Sequence, residues 1–209
     1  MIPVYFDIDG VLRLLDAAVF GREQEQWVGD VEGKSFMEYI GQHRNLLASA
    51  PPSIYVAVVQ EWYTFLGTTD VLLLTAQQDS WKEHTEMWLS RYFYGADMVC
   101  VEHPEEKVAF LEEERAFVVD DLPFFSSYTN VALVTRGYNK DVSSPVRIAS
   151  LRDLRHFLAF SYVFDYMDAG TAAEVMFAVR FGLSKFYTEE SFEQLVAFYQ
   201  NYRDTVYCR

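Results

Sequence analysis

The sequence predicts an α/β fold in which helices cover both faces of a parallel sheet. Several short apolar runs have the length of buried strands, and most of them are separated by segments with helical periodicity. Strands that alternate with helices are typical of parallel sheets, and polar residues follow three of the predicted strands. We expect a small helical cap inserted after the first strand and a helical extension at the C-terminal end.

The first predicted strand lies within residues 4–12 and carries two carboxylates, Asp7 and Asp9, followed by Gly10. A turn at Gly10 would leave both acids at the carboxyl end of the strand, where ligands bind in open α/β sheets. The same pattern also fits a strand whose last residues are only solvated. Taken alone, the stretch leaves both interpretations open.

Residues 13–67 follow, and they are long enough to form the insertion. The stretch 13–33 has few clear periods, so we interpret it as a loop with short helical pieces. Ser53 is placed to cap a helix over 54–66, and Gly67 is a suitable end for that helix.

The remaining strands and helices are predicted from apolar runs and helix start signals. Strands are expected at 70–75, 98–101, 116–121 and 130–135, with helices at 80–92 and from Pro104 onward, and further helices near 151–160, at 171–182 and at 189–205. The predicted organisation is a sheet core formed by residues 1–12 and 68–150, a helical cap at 13–67 and a helical extension at 151–209 that packs on the core.

Polar groups are expected to meet at one edge of this sheet, because the carboxyl ends of parallel strands lie together. Carboxylates that lie close together repel one another unless a cation neutralises them, and carboxylate oxygens suit Mg²⁺. Lys107, near the start of a helix, would add a positive charge. The polar residues at the strand ends are Asp7, Asp9, Thr75, Asp120 and Asp121.

These motifs, in this order, resemble those of the haloacid dehalogenase-like (HAD-like) phosphohydrolase superfamily, which has a Rossmann-like core. The nucleophile motif corresponds to Phe6-Asp7-Ile8-Asp9-Gly10-Val11, the second motif to Leu72-Leu73-Leu74-Thr75, the third to Lys107 and the fourth to Val118-Val119-Asp120-Asp121. The resemblance covers about residues 1–150.

The resemblance implies catalytic roles for three residues. Asp7 would be the nucleophile that forms an aspartyl-phosphate. Asp9 would protonate the leaving oxygen and then activate the hydrolytic water. Lys107 would neutralise the charge of Asp7 and of the phosphate.

The resemblance also implies how the phosphate and the metal are held. Thr75, together with Ala76 and Lys107, would bind the phosphoryl group. Mg²⁺ would be bound by Asp7, by Asp120 and by the backbone carbonyl of Asp9. Asp121 would support the metal through a water molecule or would hold Lys107.

Within the superfamily, the stretch from Thr75 to Leu122 is similar to the 5'(3')-deoxyribonucleotidases, whose helical cap places aromatic rings over the base. This similarity implies a phosphatase acting on (deoxy)nucleoside monophosphates. Phe20, Trp27 and Trp62 are candidates for contact with the base, although each of them also fits core packing. The chain departs from the pattern at Gln77, where these relatives usually have a proline.

Two alternatives remain open at this point. Within enzymes, the chain could be a phosphatase for a sugar phosphate or for a polynucleotide 3'-phosphate. In another class, it could be a non-catalytic binding protein with the same fold. The formal net charge of −14 argues against a nucleic-acid polymer as partner, because an acidic surface repels the phosphate backbone.

The remaining sequence features indicate a cytoplasmic protein that does not contact a membrane. Cys100 and Cys208 lack the spacing of a disulfide framework or a zinc site. The chain lacks an apolar run of the roughly 18 residues that a membrane span needs. The aromatic residues after 150 are interpreted as core packing, with a homo-oligomer contact through these helices as the alternative.

Overall fold

The computed structural model describes residues 3–67, 71–128, 130–144 and 146–166. The strands in these residues are β1 (Val4–Phe6), β2 (Asp30–Val31), β3 (Lys34–Ser35), β4 (Leu72–Ala76), β5 (Asp97–Val101), β6 (Phe117–Asp120), β7 (Val131–Val134) and β8 (Arg147–Ile148). The helices are α1 (Leu15–Phe20), α2 (Phe36–Gln42), α3 (Asn45–Ser49), α4 (Tyr55–Leu66), α5 (Lys82–Tyr92), α6 (Pro104–Glu114) and α7 (Leu151–Tyr166).

Six of these strands form one sheet in the order β5-β4-β1-β6-β7-β8, and every neighbouring pair in it is parallel. The predicted α/β class, its parallel sheet and the helical insertion after the first strand are therefore confirmed. Each of the five strands predicted from apolar runs is present. The short strand β8 and the antiparallel hairpin of β2 and β3 were not predicted, because two-residue strands leave no periodicity to detect.

Side chains on β1 alternate between the two faces of the sheet, as the period of a strand requires. Val4 and Phe6 belong to a core shared with α4, α5 and α7, whereas Tyr5 belongs to a second core shared with α6. The strands are therefore buried on both sides, which explains why they read as continuous apolar runs.

Helix α4, which the sequence interpretation counted with the cap, packs against the sheet. The hydroxyl of Tyr63 donates to the carbonyl of Val4 at 3.4 Å and accepts from the backbone N–H of Leu72 at 3.1 Å. Val4 and Leu72 begin their strands. The C-terminal part of α4 therefore lies at the amino end of the sheet, opposite the edge where Asp7 and Asp120 lie. At the other end of α4, the N-cap residue is Ile54, one residue later than predicted, and the hydroxyl of Ser53 accepts from the backbone N–H of Tyr55 at 3.1 Å.

The rest of the insertion has a small apolar core of its own. Leu15 of α1, Ile40 of α2 and Leu47 of α3 are buried together with Trp81, which precedes α5. Helix α2 begins with a capping box between Ser35 and Glu38. The insertion is therefore anchored on the sheet core through the segment that leads into α5.

Parts of the sequence interpretation lie outside the described residues. These are the predicted helices at 171–182 and 189–205, the oligomer contact expected of them, and Cys208. Among the helices that the structure describes, none combines the length and apolar character needed to cross a membrane.

Candidate functional site

Three aspartates meet at the carboxyl edge of the sheet. Asp7 follows β1, Asp120 is the last residue of β6, and Asp121 follows it. Each is at most 4% exposed, and one oxygen atom from each carboxylate lies within 4.8 Å of the others. The convergence predicted from strand ends is present for these residues, which we call the aspartate cluster.

Lys107 joins this cluster from α6, where it lies in the first turn after Pro104. Its side chain is 1% exposed, and Nζ donates to Asp7 Oδ1 and to Asp120 Oδ2, each at 2.8 Å. The ammonium also lies 5.7 Å from the centre of the Phe125 ring. A lysine that bridges two buried carboxylates fixes both side chains and neutralises part of their charge.

The burial of this cluster changes the pKa values of its members. Burial, with a further contribution from Asp120, raises the pKa of Asp7 to about 7, although Lys107 acts in the opposite direction. Burial and the charge of Asp120 also raise the pKa of Asp121 well above its usual range. Burial alone would lower the pKa of Lys107, but the carboxylates of Asp120 and Asp7 hold it above its ordinary value.

The cluster has the donor set of a divalent cation site. Three carboxylates face one ammonium, so negative charge is in excess when the acids are ionised. Oδ1 of Asp121 is buried, and it has no hydrogen-bond partner within the described part of the chain. An unsatisfied buried carboxylate oxygen is costly, and a hard cation such as Mg²⁺ or Ca²⁺ would satisfy it. The residues present therefore fit a bound divalent cation.

Gly10 is required where it stands, because the aspartate cluster leaves no space for a side chain there. Its φ of +82° lies in the left-handed region, and a Cβ on it would lie 2.0 Å from Asp121 Oδ2. The glycine of the first motif thus lets the backbone approach the aspartate cluster.

Asp9 is placed differently from the aspartate cluster. Its carboxylate forms a two-bond ion pair with Arg13, from Nε to Oδ1 at 2.7 Å and from Nη2 to Oδ2 at 2.9 Å. The side chain of Asp9 is 26% exposed, whereas that of Arg13 is fully buried. The carboxylate predicted to act on the leaving group is thus held by a partner that the sequence interpretation did not include.

Thr75 and Ala76 end β4, which is hydrogen-bonded directly beside β1. Thr75 is buried and Ala76 is half-buried. The next residue, Gln77, accepts a hydrogen bond from the hydroxyl of Thr85 at 2.9 Å and directs its amide nitrogen to Cys100 Sγ at 3.5 Å. Two of the three predicted phosphate-binding residues, Thr75 and Ala76, therefore lie on the strand next to the nucleophile position.

The three aromatic candidates occupy different environments. Phe20 is half-buried at the end of α1. Trp27 is 60% exposed and meets the ring of Tyr138 edge-to-face at 5.3 Å. Trp62 stacks on Phe65 at 5.6 Å and packs against the sheet core, near the amino end of the strands. Of the three, Trp62 therefore lies away from the aspartate cluster.

The loop that carries Tyr138 is connected to the aspartate cluster. The side-chain amide of Asn139 donates to the backbone carbonyl of Asp121 at 2.7 Å. Trp27 thus packs on a loop that helps to hold one of the clustered acids. This contact places the exposed ring of Trp27 on the side of the molecule where the carboxyl ends of the strands lie.

Arg136 is a second buried arginine whose role the sequence did not indicate. Its Nε donates to the carbonyl of Gly10 at 2.5 Å and its Nη2 to that of Val11 at 3.2 Å, while Nη1 pairs with Glu23 at 3.0 Å. Arg136 therefore fixes the turn that follows β1 and ties it to the insertion. The excess of acids at this edge was the one available signal that buried cations would be needed there.

Comparison with known proteins gives little further information. No protein-family model matches the chain. No curated protein matches it significantly. One solved structure that resembles it is that of a Thermotoga maritima protein assigned as a β-phosphoglucomutase, with 15% sequence identity, a TM-score of 0.46, and an alignment that covers 76% of this chain and 99% of that chain. At this similarity, the interpretation of the site depends on its own residues and geometry.

Proposed function

We propose that the chain is a Mg²⁺-dependent phosphomonoesterase of the HAD-like type, acting through an aspartyl-phosphate. The observation that carries the proposal is the bridge from Lys107 to both Asp7 and Asp120, in the same cluster as Asp121 with its unsatisfied oxygen. Such a cluster combines a carboxylate nucleophile, a fixed positive charge and a cation site, and these are the groups that phosphoryl transfer needs.

In the first step, a carboxylate oxygen of Asp7 attacks the phosphorus of the substrate. A bond forms between that oxygen and phosphorus, and the bond from phosphorus to the ester oxygen breaks. In this step Asp9 acts in its protonated form, not in the ionised form that pairs with Arg13 in the structure, and it gives its proton to the departing ester oxygen, which leaves as an alcohol. Lys107 holds Asp7 in place during the attack and offsets the charge of the incoming phosphate.

In the second step, water attacks the phosphorus of the aspartyl-phosphate. Asp9, now ionised, takes a proton from that water, and the bond from phosphorus to Asp7 breaks. Inorganic phosphate is released, and both aspartates return to their starting forms. Thr75 and the backbone of Ala76 would hold the phosphoryl oxygens through both steps, which their place on the strand beside β1 supports.

The metal would be held by Asp7, Asp120 and Asp121, with the backbone carbonyl of Asp9 as a further ligand implied by the family resemblance. When bound, Mg²⁺ supplies Lewis-acid stabilisation of the charge on the transferring phosphoryl group. Asp121 has an oxygen left over for this purpose, and Lys107 already pairs with the other two carboxylates and offsets part of their charge.

A (deoxy)nucleoside monophosphate is the substrate that we propose. The exposed ring of Trp27, on the loop contact near the aspartate cluster, supports this choice because a base can stack on it. Phe20 is the second candidate from the insertion. Trp62 supports it least, because its ring packs against the core.

The proposal is tested by phosphate release from a panel of deoxynucleoside monophosphates and sugar phosphates, with and without Mg²⁺. The matched control is Asp7→Asn, which keeps the shape of the side chain and removes the nucleophile. We expect Mg²⁺-dependent release from deoxynucleotides that is absent in Asp7→Asn. Equal release by both proteins would contradict the mechanism, and release from sugar phosphates alone would contradict only the nucleotide assignment.

A further inference from the structure

Arg13 is a fully buried cation whose hydrogen-bonding capacity is completely used. Nε and Nη2 each donate one hydrogen bond to an oxygen of the Asp9 carboxylate, at 2.7 and 2.9 Å. Nη1 donates to the carbonyl of Leu47 at 2.8 Å, and both Nη atoms donate to the hydroxyl of Thr85 at 3.2 Å. All five N–H donors of the guanidinium therefore have acceptors.

Burying such a charge is unfavourable unless its pairing is nearly ideal. The fork-like pairing with Asp9 meets this condition, and the guanidinium also lies 5.7 Å from the centre of the Trp88 ring. A planar two-bond pair fixes the plane of the carboxylate as well as its position. The orientation of Asp9 is thus determined by Arg13.

The same guanidinium connects three separate parts of the chain. The backbone of Arg13 belongs to the turn after β1, where the N–H of Gly10 donates to the carbonyl of Arg13 at 2.8 Å. Leu47 lies on α3 of the insertion. Thr85 lies on α5, and its hydroxyl donates in turn to Gln77, which follows the predicted phosphate-binding residues. A shift of α3 would therefore be transmitted to Asp9 through one side chain.

We propose that Arg13 is the positioning residue of Asp9, holding its carboxylate where it meets the leaving oxygen and coupling that position to the seating of helix α3. The inference rests on the proposed function, in which Asp9 transfers a proton to the leaving group. It adds the group that sets the geometry of this transfer. Arg13 acts on the leaving group only through the carboxylate of Asp9, which it contacts directly.

The test compares two substrates that differ in how much they need a proton at the leaving oxygen. An alkyl leaving group, such as that of a deoxynucleoside monophosphate, depends strongly on a general acid, whereas p-nitrophenolate leaves with little help. In Arg13→Lys, which keeps the charge but loses the fork, we expect kcat/KM to fall on the order of tenfold more for the alkyl phosphate than for p-nitrophenyl phosphate. In the Asp9→Asn background, Arg13→Lys should not change the ratio of kcat/KM for the alkyl phosphate to kcat/KM for p-nitrophenyl phosphate any further.

Arg91→Lys is the matched control. Arg91 also joins α5 to α3, through a bond from Nη1 to the carbonyl of Ala48 at 2.7 Å, so its loss loosens the same contact between the insertion and the core. Arg91→Lys should change the ratio of kcat/KM between the two substrates less than Arg13→Lys does, because the contact of Arg91 is with α3 and it acts on Asp9 only indirectly. Thr85→Val is a second test variant, which leaves Arg13 in place and removes one of its acceptors. Thr85→Val should also reduce kcat/KM more for the alkyl phosphate than for p-nitrophenyl phosphate, but by a smaller factor than Arg13→Lys. This variant keeps the test informative if the Arg13→Lys protein fails to fold.

The outcomes separate this inference from the proposed function. Equal losses on both substrates in Arg13→Lys and Thr85→Val, in a wild-type protein whose activity requires Asp7, would overturn the positioning role alone. A wild-type protein without activity that depends on Asp7 would overturn the proposed function, and this inference with it.

Discussion

Replacement of Lys107 by methionine is expected to destabilise the metal-free protein strongly. Methionine has a similar length but removes the charge that bridges Asp7 and Asp120, each 2.8 Å away in a site where the lysine is 1% exposed. Removing one partner of a buried ion pair leaves an uncompensated charge and costs about 3–5 kcal/mol. This is a large part of the roughly 5–15 kcal/mol that holds a domain folded.

The assay is urea unfolding in the presence of a chelator at pH 8 and at pH 5.5. The loss should be greater at pH 8, because at lower pH protons replace the missing ammonium on the carboxylates. Adding Asp120→Asn to the methionine variant should recover part of the stability, since one unpaired acid is then absent. Lys82→Met is the matched control, because Lys82 is exposed on α5 and its loss should change stability by about 0.5 kcal/mol or less. A Lys107→Met protein that is as stable as this control at pH 8 would refute the reasoning.

Three further predictions concern the acid, the turn and the insertion. The stability of the metal-free wild type relative to Asp7→Asn should fall as the pH rises from about 4 to about 7. The reason is that the folded-state pKa of Asp7 is raised from 3.8 to about 7, so the folded state binds more protons in that interval. Urea titrations at several pH values measure this, and a difference in unfolding free energy that does not change with pH would contradict it. Gly10→Ala should weaken Mg²⁺ binding by about 10–100-fold in calorimetry, since its Cβ would displace a carboxylate of the aspartate cluster. Gly67→Ala is the control: Gly67 has a φ of +71° with open space around it, so this variant should show only backbone strain of about 1–2 kcal/mol and normal Mg²⁺ binding. Equal Mg²⁺ affinities of the Gly10→Ala and Gly67→Ala proteins would refute the close approach of Gly10 to Asp121. Trp27→Ala should raise the KM for a deoxynucleoside monophosphate about tenfold and leave the KM for glycerol phosphate unchanged. Trp62→Ala should lower thermal stability without changing the ratio of these two KM values. A changed ratio in Trp62→Ala and an unchanged one in Trp27→Ala would indicate that the base-binding surface is on α4.

The aspartate cluster could be predicted because its members follow strands. A strand end is visible in the sequence as an apolar run that stops, and parallel pairing then places Asp7 and Asp120 at the same edge. Lys107 could be added because a helix leads directly into β6, so its first turn lies at the same edge. Here, local patterns together with one topological rule determine the geometry.

The two buried arginines could not be predicted in the same way. Arg13 is held by Asp9, Leu47 and Thr85. Arg136 is held by the carbonyls of Gly10 and Val11 and by Glu23. Apart from Asp9, which lies four residues before Arg13, these partners are backbone carbonyls or side chains distant in sequence, so the sequence does not show that either arginine is buried. Their burial follows from how the insertion folds back onto the turn after β1, which is a long-range contact.

Helix α4 shows a different limit of the sequence. The helix itself was correctly recognised, but apolar periodicity leaves open which of its residues are buried and what covers them. Tyr63 bonds to the first residues of two strands, so α4 belongs against the sheet. Trp62 lies on the same helix, and its contact with the sheet core agrees with the core-packing alternative that the sequence left open for it.

The most direct test of the proposed mechanism is peptide mapping by mass spectrometry after rapid acid quenching of the wild-type protein during turnover with Mg²⁺. The mechanism predicts one phosphoryl group on the peptide that contains Asp7, formed and lost at rates that match phosphate release, and absent from Asp7→Asn. Phosphate release without a phosphoryl group on that peptide, at a rate that Asp7→Asn shares, would contradict it.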